Sequence, residues 1–178
     1  MPDLKLPENI ILTGYRATGK SSVGRMLAAE LGYEFIDMDK VLEARYGEIS
    51  ELVAEKGWGF FRAREKELLD ELAGGSGKVV ATGGGAIMHE AEWAKLKEAG
   101  FVVWLTSDVK IICDRLSFDP ASPGQRPSLT GADIREEVSA VLAEREPLYR
   151  RGSHLEIDSN RSLDLVVADI IASLKADP

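Results

Sequence analysis

A single cysteine, Cys113, stands in 178 residues, so the chain can close no internal disulfide and suits a reducing compartment, the cytoplasm. No apolar run approaches membrane-spanning length; the longest, Phe101–Leu105, is strand-sized. Residues 1–7 lack the hydrophobic stretch of a signal peptide. No membrane is expected as a partner. The two histidines, His89 and His154, are isolated, with no Cys or His at metal-ligand spacing, which argues against zinc. Positive charge is also short: 22 Lys and Arg against 30 Asp and Glu leave −8, which argues against nucleic acid. No internal repeat is evident, and no apolar stripe is left over for a second subunit, so a monomer is expected. The length suits one well-cored domain, residues 1–178, and is short for two.

Against these absences stands one complete motif. Residues 14–21, Gly14-Tyr15-Arg16-Ala17-Thr18-Gly19-Lys20-Ser21, form G-x-x-x-x-G-K-S between the apolar run Ile10–Leu12 and a helical pattern, Val23, Met26, Leu27 and Leu31. A helix start offers unpaired N–H groups and a positive dipole end to phosphate. Gly14 and Gly19 permit the backbone angles that turn successive N–H groups inward as an anion nest. Lys20 adds a cation for the β- and γ-phosphates, and the Ser21 hydroxyl is a ligand for Mg2+. A glycine-rich turn before an ordinary helix accounts for the glycines but not for the adjoining Lys-Ser.

Five short apolar runs look like buried strands: Ile10–Leu12, Phe35–Ile36, Val79–Ala81, Phe101–Leu105 and Leu155–Ile157. The segments between them have helical periodicity, with Gly32 and Gly100 placed as C-caps. Such alternation predicts an α/β fold: a parallel sheet of five strands between two helical layers, with ligands beyond the carboxyl ends of the strands. Four suggestive segments follow strands: the phosphate loop, Asp37-Met38-Asp39, Gly83-Gly84-Gly85 and Asp158-Ser159-Asn160-Arg161. Residues 40–73 look like consecutive helices broken at Gly47 and Gly57. Residues 117–131, rich in Pro, Gly and Ser, are either a surface loop or a lid.

Read singly, several residues stay open. If the strand continues through Asp37 and Asp39, alternation puts both carboxylates into the cleft; alternatively Asp39 caps a helix. Gly83–Gly85 lets a ligand approach the backbone or simply connects elements. Arg62 has nothing local to separate it from Arg64 and looks solvated. Arg126 is a lid arginine or a surface charge. Arg145, between Glu144 and Glu146 in a helix that Pro147 should break, looks salt-bridged. Cys113 looks like a core thiol. Trp58, Trp93 and Trp104 look like packing residues, with Trp58 also able to line a pocket. Leu72–Ser76 looks like a turn.

The chain has neither the Asn-Lys-x-Asp segment of switch GTPases nor the Asp-Glu strand end of motor and transporter ATPases. A small-molecule kinase needs an acceptor pocket, a carboxylate near the acceptor hydroxyl and a closing lid with arginine, and a candidate for each is present. Taken together, Gly14…Gly19-Lys20-Ser21, Phe35-Ile36-Asp37-Met38-Asp39, Phe61-Arg62-Ala63-Arg64-Glu65, Thr82-Gly83-Gly84-Gly85, Arg126-Pro127-Ser128-Leu129 and Arg145-Glu146-Pro147-Leu148-Tyr149 resemble the shikimate kinase family over nearly the whole chain. The resemblance implies a P-loop kinase with a helical substrate-binding insertion (40–73) and a mobile lid (117–131). It implies phosphorylation of the shikimate 3-hydroxyl by ATP with Mg2+, in aromatic amino acid biosynthesis. Gly14, Ala17, Thr18, Gly19, Lys20, Ser21, Ser22, Arg115, Arg126 and Arg161 would bind ATP. Asp39, Arg62, Gly83, Gly84, Gly85 and Arg145 would bind shikimate, the two arginines gripping its carboxylate. Ser21 and Asp37 would serve the metal, and Lys20, Asp39 and Arg126 would be catalytic. Alanine replaces a common family glycine at position 17, and Ser21-Ser22 replaces a threonine-containing pair. Because alanine resists positive φ, a stiffer or reshaped nest is expected there. The alternatives are a kinase for another polar acceptor such as gluconate, and a nucleotide-binding regulator with no acceptor.

Overall fold

The computed structural model describes residues 5–118 and 133–176. Its sheet has five parallel strands in the order β2-β3-β1-β4-β5. These are β1 (Asn9–Thr13), β2 (Glu34–Asp37), β3 (Lys78–Ala81), β4 (Phe101–Thr106) and β5 (Leu155–Asp158), one for each apolar run in the sequence. The described α-helices are α1 (Lys20–Leu31), α2 (Met38–Tyr46), α3 (Ile49–Leu72), α4 (Glu90–Glu98), α5 (Val109–Phe118), α6 (Ile134–Arg151) and α7 (Leu163–Ala176). No described helix is long and apolar enough to cross a membrane.

Strand alternation separates the two helical layers. On one face Ile11, Val80, Val102 and Trp104 pack with Met38 and Leu42 of α2, Leu68 and Leu69 of α3, Trp93 and Leu96 of α4, and Tyr149 of α6. On the other, Ile10, Leu12, Val79, Val103 and Leu105 pack with Val23 and Leu27 of α1 and Val166 and Ile170 of α7. A smaller cluster joins Tyr15 to Ile112 and Leu116 of α5 and Val138 and Val141 of α6. Cys113 is only half-buried beside that cluster, so the expected core thiol is a peripheral one.

The predicted breaks in the 40–73 region are present. Gly47 ends α2 at φ 93°, and Gly57 kinks α3 at φ 81° and ψ 167°. Gly32 caps α1 in the left-handed region, as expected. Gly100 does not cap α4, which ends on Ala99. Its missing side chain serves packing instead: a Cβ there would lie 2.6 Å from the Asn9 carbonyl oxygen. Pro147 does not break its helix either; α6 continues through it to Arg151.

The strand order positions the chemistry. The phosphate loop leaves the central strand β1, with β3 and β2 to one side and β4 and β5 to the other. Neighbouring parallel strands lie about 4.8 Å apart, so whatever follows β3 borders whatever the loop holds.

Candidate active site

The loop between β1 and α1 is built as an anion nest. Gly14 has φ 139° and Gly19 φ 95°, and Ala17, the one described non-glycine residue at positive φ, has φ 61°. Alanine therefore takes the left-handed conformation that a glycine would take without strain, at a cost of about 1 kcal/mol. Gly14 is required on a second ground, since a Cβ would sit 2.5 Å from the Leu105 carbonyl oxygen. Thr18 is buried and its hydroxyl donates to the Tyr15 carbonyl at 2.8 Å. Lys20 Nζ donates to the Gly14 and Tyr15 carbonyls at 2.8 and 2.7 Å, which folds the cation over the loop. Ser22, next along, is exposed.

Asp37 ends β2 and does two jobs. Its Oδ2 accepts the Ser21 hydroxyl at 2.7 Å. Its Oδ1 accepts the N–H groups of Asp39 and Lys40 at 3.1 and 3.4 Å, so Asp37, not Asp39, is the N-cap of α2. The extended conformation does not continue to Asp39; the helix begins at Met38 and Asp39 lies half-buried in its first turn. Ser21 and Asp37 are hard oxygen donors side by side, the type that suits Mg2+. No group of three or more His, Cys, Asp or Glu able to hold a metal is assembled among the described residues.

Gly83–Gly85, all buried, follow β3 beside the loop. A Cβ on Gly84 would lie 3.5 Å from the Arg16 nitrogen and the Gly14 oxygen, and 3.6 Å from Arg145 Nη1. A Cβ on Gly85 would lie 2.6 Å from the Arg62 Cζ. Two adjacent glycines thus each face a guanidinium group. Tyr149 Oη donates to the Gly84 carbonyl at 2.6 Å from α6, locking the turn; this residue has no local sequence signal as a support.

Arg62 is not a solvated helical arginine. Its Nη1 donates to Glu65 Oε1 at 2.8 Å, and Glu65 is fully buried. The guanidinium lies 5.2 Å from the Trp58 ring centroid and 5.5 Å from that of Phe61, so Trp58 supports a charged side chain as well as the core. Arg64 pairs with Glu67, whose side chain is 54 % exposed, and that difference separates the two arginines. Glu65 was legible in principle: it falls in the buried stripe Phe61, Leu68, Leu69 and Leu72 of α3, where a carboxylate needs a partner. Arg145 is likewise not a surface salt-bridge residue. It is 6 % exposed, while Glu146 pairs with Arg150 one turn on.

On the opposite side of the loop, Arg115 of α5 donates to the Ala17 carbonyl at 2.9 Å and the Ser159 carbonyl at 3.2 Å. It ties the phosphate loop to the turn after β5. Arg161, in that turn, is exposed and pairs with Asp169 of α7 at 2.7 Å. Arg16 of the loop lies 3.6 Å from the buried Glu137 of α6, a contact that sequence reasoning missed. Arg126 and residues 119–131 of the expected lid lie outside the described residues.

The family model described as shikimate kinase matches residues 16–175. Shikimate kinase from Nitratidesulfovibrio vulgaris is 43 % identical over 166 residues, covering 93 % of this chain and 94 % of that protein. The structure of shikimate kinase from Acinetobacter baumannii in complex with shikimate is similar with a TM-score of 0.86 and 35 % identity, covering 96 % of each chain. A gluconokinase from Sinorhizobium meliloti aligns with a TM-score of 0.57 and 19 % identity over 96 % of this chain and 93 % of that one, a likeness of fold alone.

Proposed function

The chain belongs to the shikimate kinase family, and on that premise we propose that it transfers the γ-phosphoryl group of ATP to the 3-hydroxyl of shikimate, giving shikimate 3-phosphate and ADP. The acceptor assignment rests on the placement of Arg62 and Arg145 against Gly85 and Gly84, beside the phosphate loop. Glu65 offsets one of the two guanidinium charges, leaving one positive charge for one carboxylate. Each charge-assisted hydrogen bond to that carboxylate is worth roughly 1.5–3 kcal/mol.

Phosphoryl transfer is mainly positioning and the stabilisation of spread negative charge. Lys20, the inward-turned N–H groups of residues 14–21 and Arg126 supply the positive field. Asp39 and the glycine turn hold the acceptor hydroxyls. As the acceptor oxygen bonds to the γ-phosphorus and the bridging bond breaks, the electron pair leaves with ADP and Asp39 takes the hydroxyl proton. Ser21 and Asp37 would hold Mg2+, which when bound would supply positive charge against the phosphates. Arg115 and the Asp158–Arg161 turn flank adenine. In this reading residues 1–178 are one P-loop kinase domain, working as a cytoplasmic monomer on two small-molecule substrates. Residues 40–73 carry the acceptor side.

An ADP-release assay over a panel of acceptors tests this. Shikimate should stimulate turnover far beyond gluconate, other hydroxy acids or water alone. A better rate with gluconate would replace the acceptor; ATP binding without acceptor-stimulated turnover would make the protein a nucleotide-dependent regulator instead.

A further inference from the structure

We propose that His89 is a positioning residue for the acceptor carboxylate, acting through Glu65 to keep the guanidinium group of Arg62 available. The inference rests on the reading of Arg62 given above. His89 has no catalytic motif around it, yet its backbone is pinned on both sides. Its N–H donates to the Ala86 carbonyl at 3.1 Å, and its carbonyl accepts the Trp93 N–H at 2.8 Å, so it joins a 3-10 turn (Ala86–Met88) to the start of α4. The ring then places Nε2 3.1 Å from Glu65 Oε1, the same oxygen that accepts from Arg62 Nη1 at 2.8 Å. With Glu65 ionised, this contact needs the proton on Nε2, which makes His89 the donor.

The consequence follows from how a carboxylate and a guanidinium pair when nothing intervenes. Arg45 and Glu71 in this same protein form the two-point fork, Nη1 to Oε1 at 2.9 Å and Nη2 to Oε2 at 2.8 Å. Such a fork consumes one whole donor edge of the arginine. At Glu65 the histidine binds Oε1, the oxygen that Arg62 also uses, and this second contact restrains the plane of the carboxylate. Arg62 is then held by a single Nη1 contact to Glu65, and Nη2 stays available for an incoming carboxylate. Without His89 that restraint on the carboxylate plane is lost, Glu65 can turn toward the fork, and the acceptor must compete with an internal anion for the same donors. The effect falls on acceptor binding and leaves the phosphate loop untouched.

The test is steady-state kinetics of His89→Ala, His89→Gln and His89→Asn, each with ATP and shikimate varied separately. Glutamine can set its amide nitrogen near the Nε2 position; asparagine falls short. His89→Ala and His89→Asn should raise the shikimate KM roughly 3- to 10-fold, the size of one ordinary net hydrogen bond, because the effect reaches the acceptor only through Glu65. Their ATP KM and kcat should stay unchanged, and His89→Gln should come within about twofold of the parent protein. In an Arg62→Ala background the alanine substitution should add nothing, because its route is gone. An unchanged shikimate KM in His89→Asn, or a glutamine variant as impaired as asparagine, would overturn the proposal. The Gln–Asn contrast remains decisive if the alanine variant does not fold. If Arg62→Ala itself leaves the shikimate KM unchanged, the reading of Arg62 fails. If Arg62→Ala raises it and no His89 variant does, only the role of His89 fails.

Discussion

Replacing Gly85 by alanine should separate acceptor binding from stability. The residue has φ −92° and ψ −2°, a conformation open to alanine, so the backbone offers no objection. Reduced freedom in the unfolded chain favours the variant by about 0.4–1 kcal/mol. The added Cβ would sit 2.6 Å from both Cζ and Nη2 of Arg62. Ordinary contact needs about 3.5–4 Å, so the guanidinium must retreat by about 1 Å. It is the free end of a long side chain and can do so, weakening its bond to Glu65 by an amount similar to the backbone gain. Tm should therefore stay within about 3 °C of the parent value. For the acceptor, a displacement of about 1 Å forfeits charge-assisted bonds of 1.5–3 kcal/mol, which predicts a shikimate affinity about 10- to 150-fold weaker. Calorimetric titration with shikimate, and separately with an ATP analogue, reads the two sites; the nucleotide affinity should not move. Gly84→Ala is the internal control, because its Cβ meets only ordinary contacts of 3.5–3.6 Å in the empty protein. Any loss there reports the acceptor itself lying on the turn. A Gly85→Ala protein with unchanged shikimate affinity would refute the role given to Arg62.

Arg62→Ala should weaken shikimate binding by a similar 10- to 150-fold while hardly changing ATP affinity, and should lower Tm because buried Glu65 loses its cation. Lys20→Met should abolish most turnover with little change in the circular dichroism spectrum; full activity would count against the loop's role. Asp37→Ala removes the α2 cap and should cost about 1 kcal/mol, or about 2–4 °C in Tm, whereas Asp37→Asn keeps a capping side chain. Asp37→Asn should therefore melt near the parent temperature but need more Mg2+ for half-maximal rate. At position 17, with φ 61°, glycine relieves strain of about 1 kcal/mol and adds a comparable unfolded-state entropy, so Ala17→Gly should shift Tm by less than about 3 °C. Ala17→Val, branched at Cβ, should lower Tm by more than that.

The sequence exposed the architecture well because its signals were local. A central strand such as Ile10-Ile11-Leu12 is apolar at successive positions because both faces are covered, and all five runs became strands. Errors arose where a neighbour in sequence was taken for a neighbour in space. Arg145 looked paired because glutamates flank it, but adjacent helical residues point apart, and Glu146 reaches Arg150 instead. Asp37 and Asp39 do not share a strand face, because the Asp37 side-chain cap makes helix cheaper from Met38 on. Pro147 suggested a helix end, yet a proline's missing hydrogen bond is tolerated in a helix whose flanks, Arg145 and Tyr149, are anchored by burial. The supports of the site were illegible for a different reason. Tyr149 meets Gly84 across 65 positions, and Arg115 meets Ala17 across 98, pairings that only the finished sheet brings about.

The net charge of −8 sharpens what those supports accomplish. A protein repelling anions overall must gather cations where phosphate and carboxylate bind, and Arg16, Lys20, Arg62, Arg115 and Arg145 all lie around the loop and the glycine turn. Gathered without partners, they would repel one another and stray. Glu65 and Glu137, with side chains 0 % and 2 % exposed, each hold one of them. Such buried carboxylates are poor stabilisers, since desolvation offsets most of the attraction and apolar residues of the same volume would serve the fold as well. Their value is directional: Glu65 fixes one edge of Arg62, and Glu137 lies 3.6 Å from Arg16 on the loop. A carboxylate on the apolar stripe of a helix, three residues after an arginine, is therefore better explained by the anion that arginine must meet than by the stability of the helix that carries it.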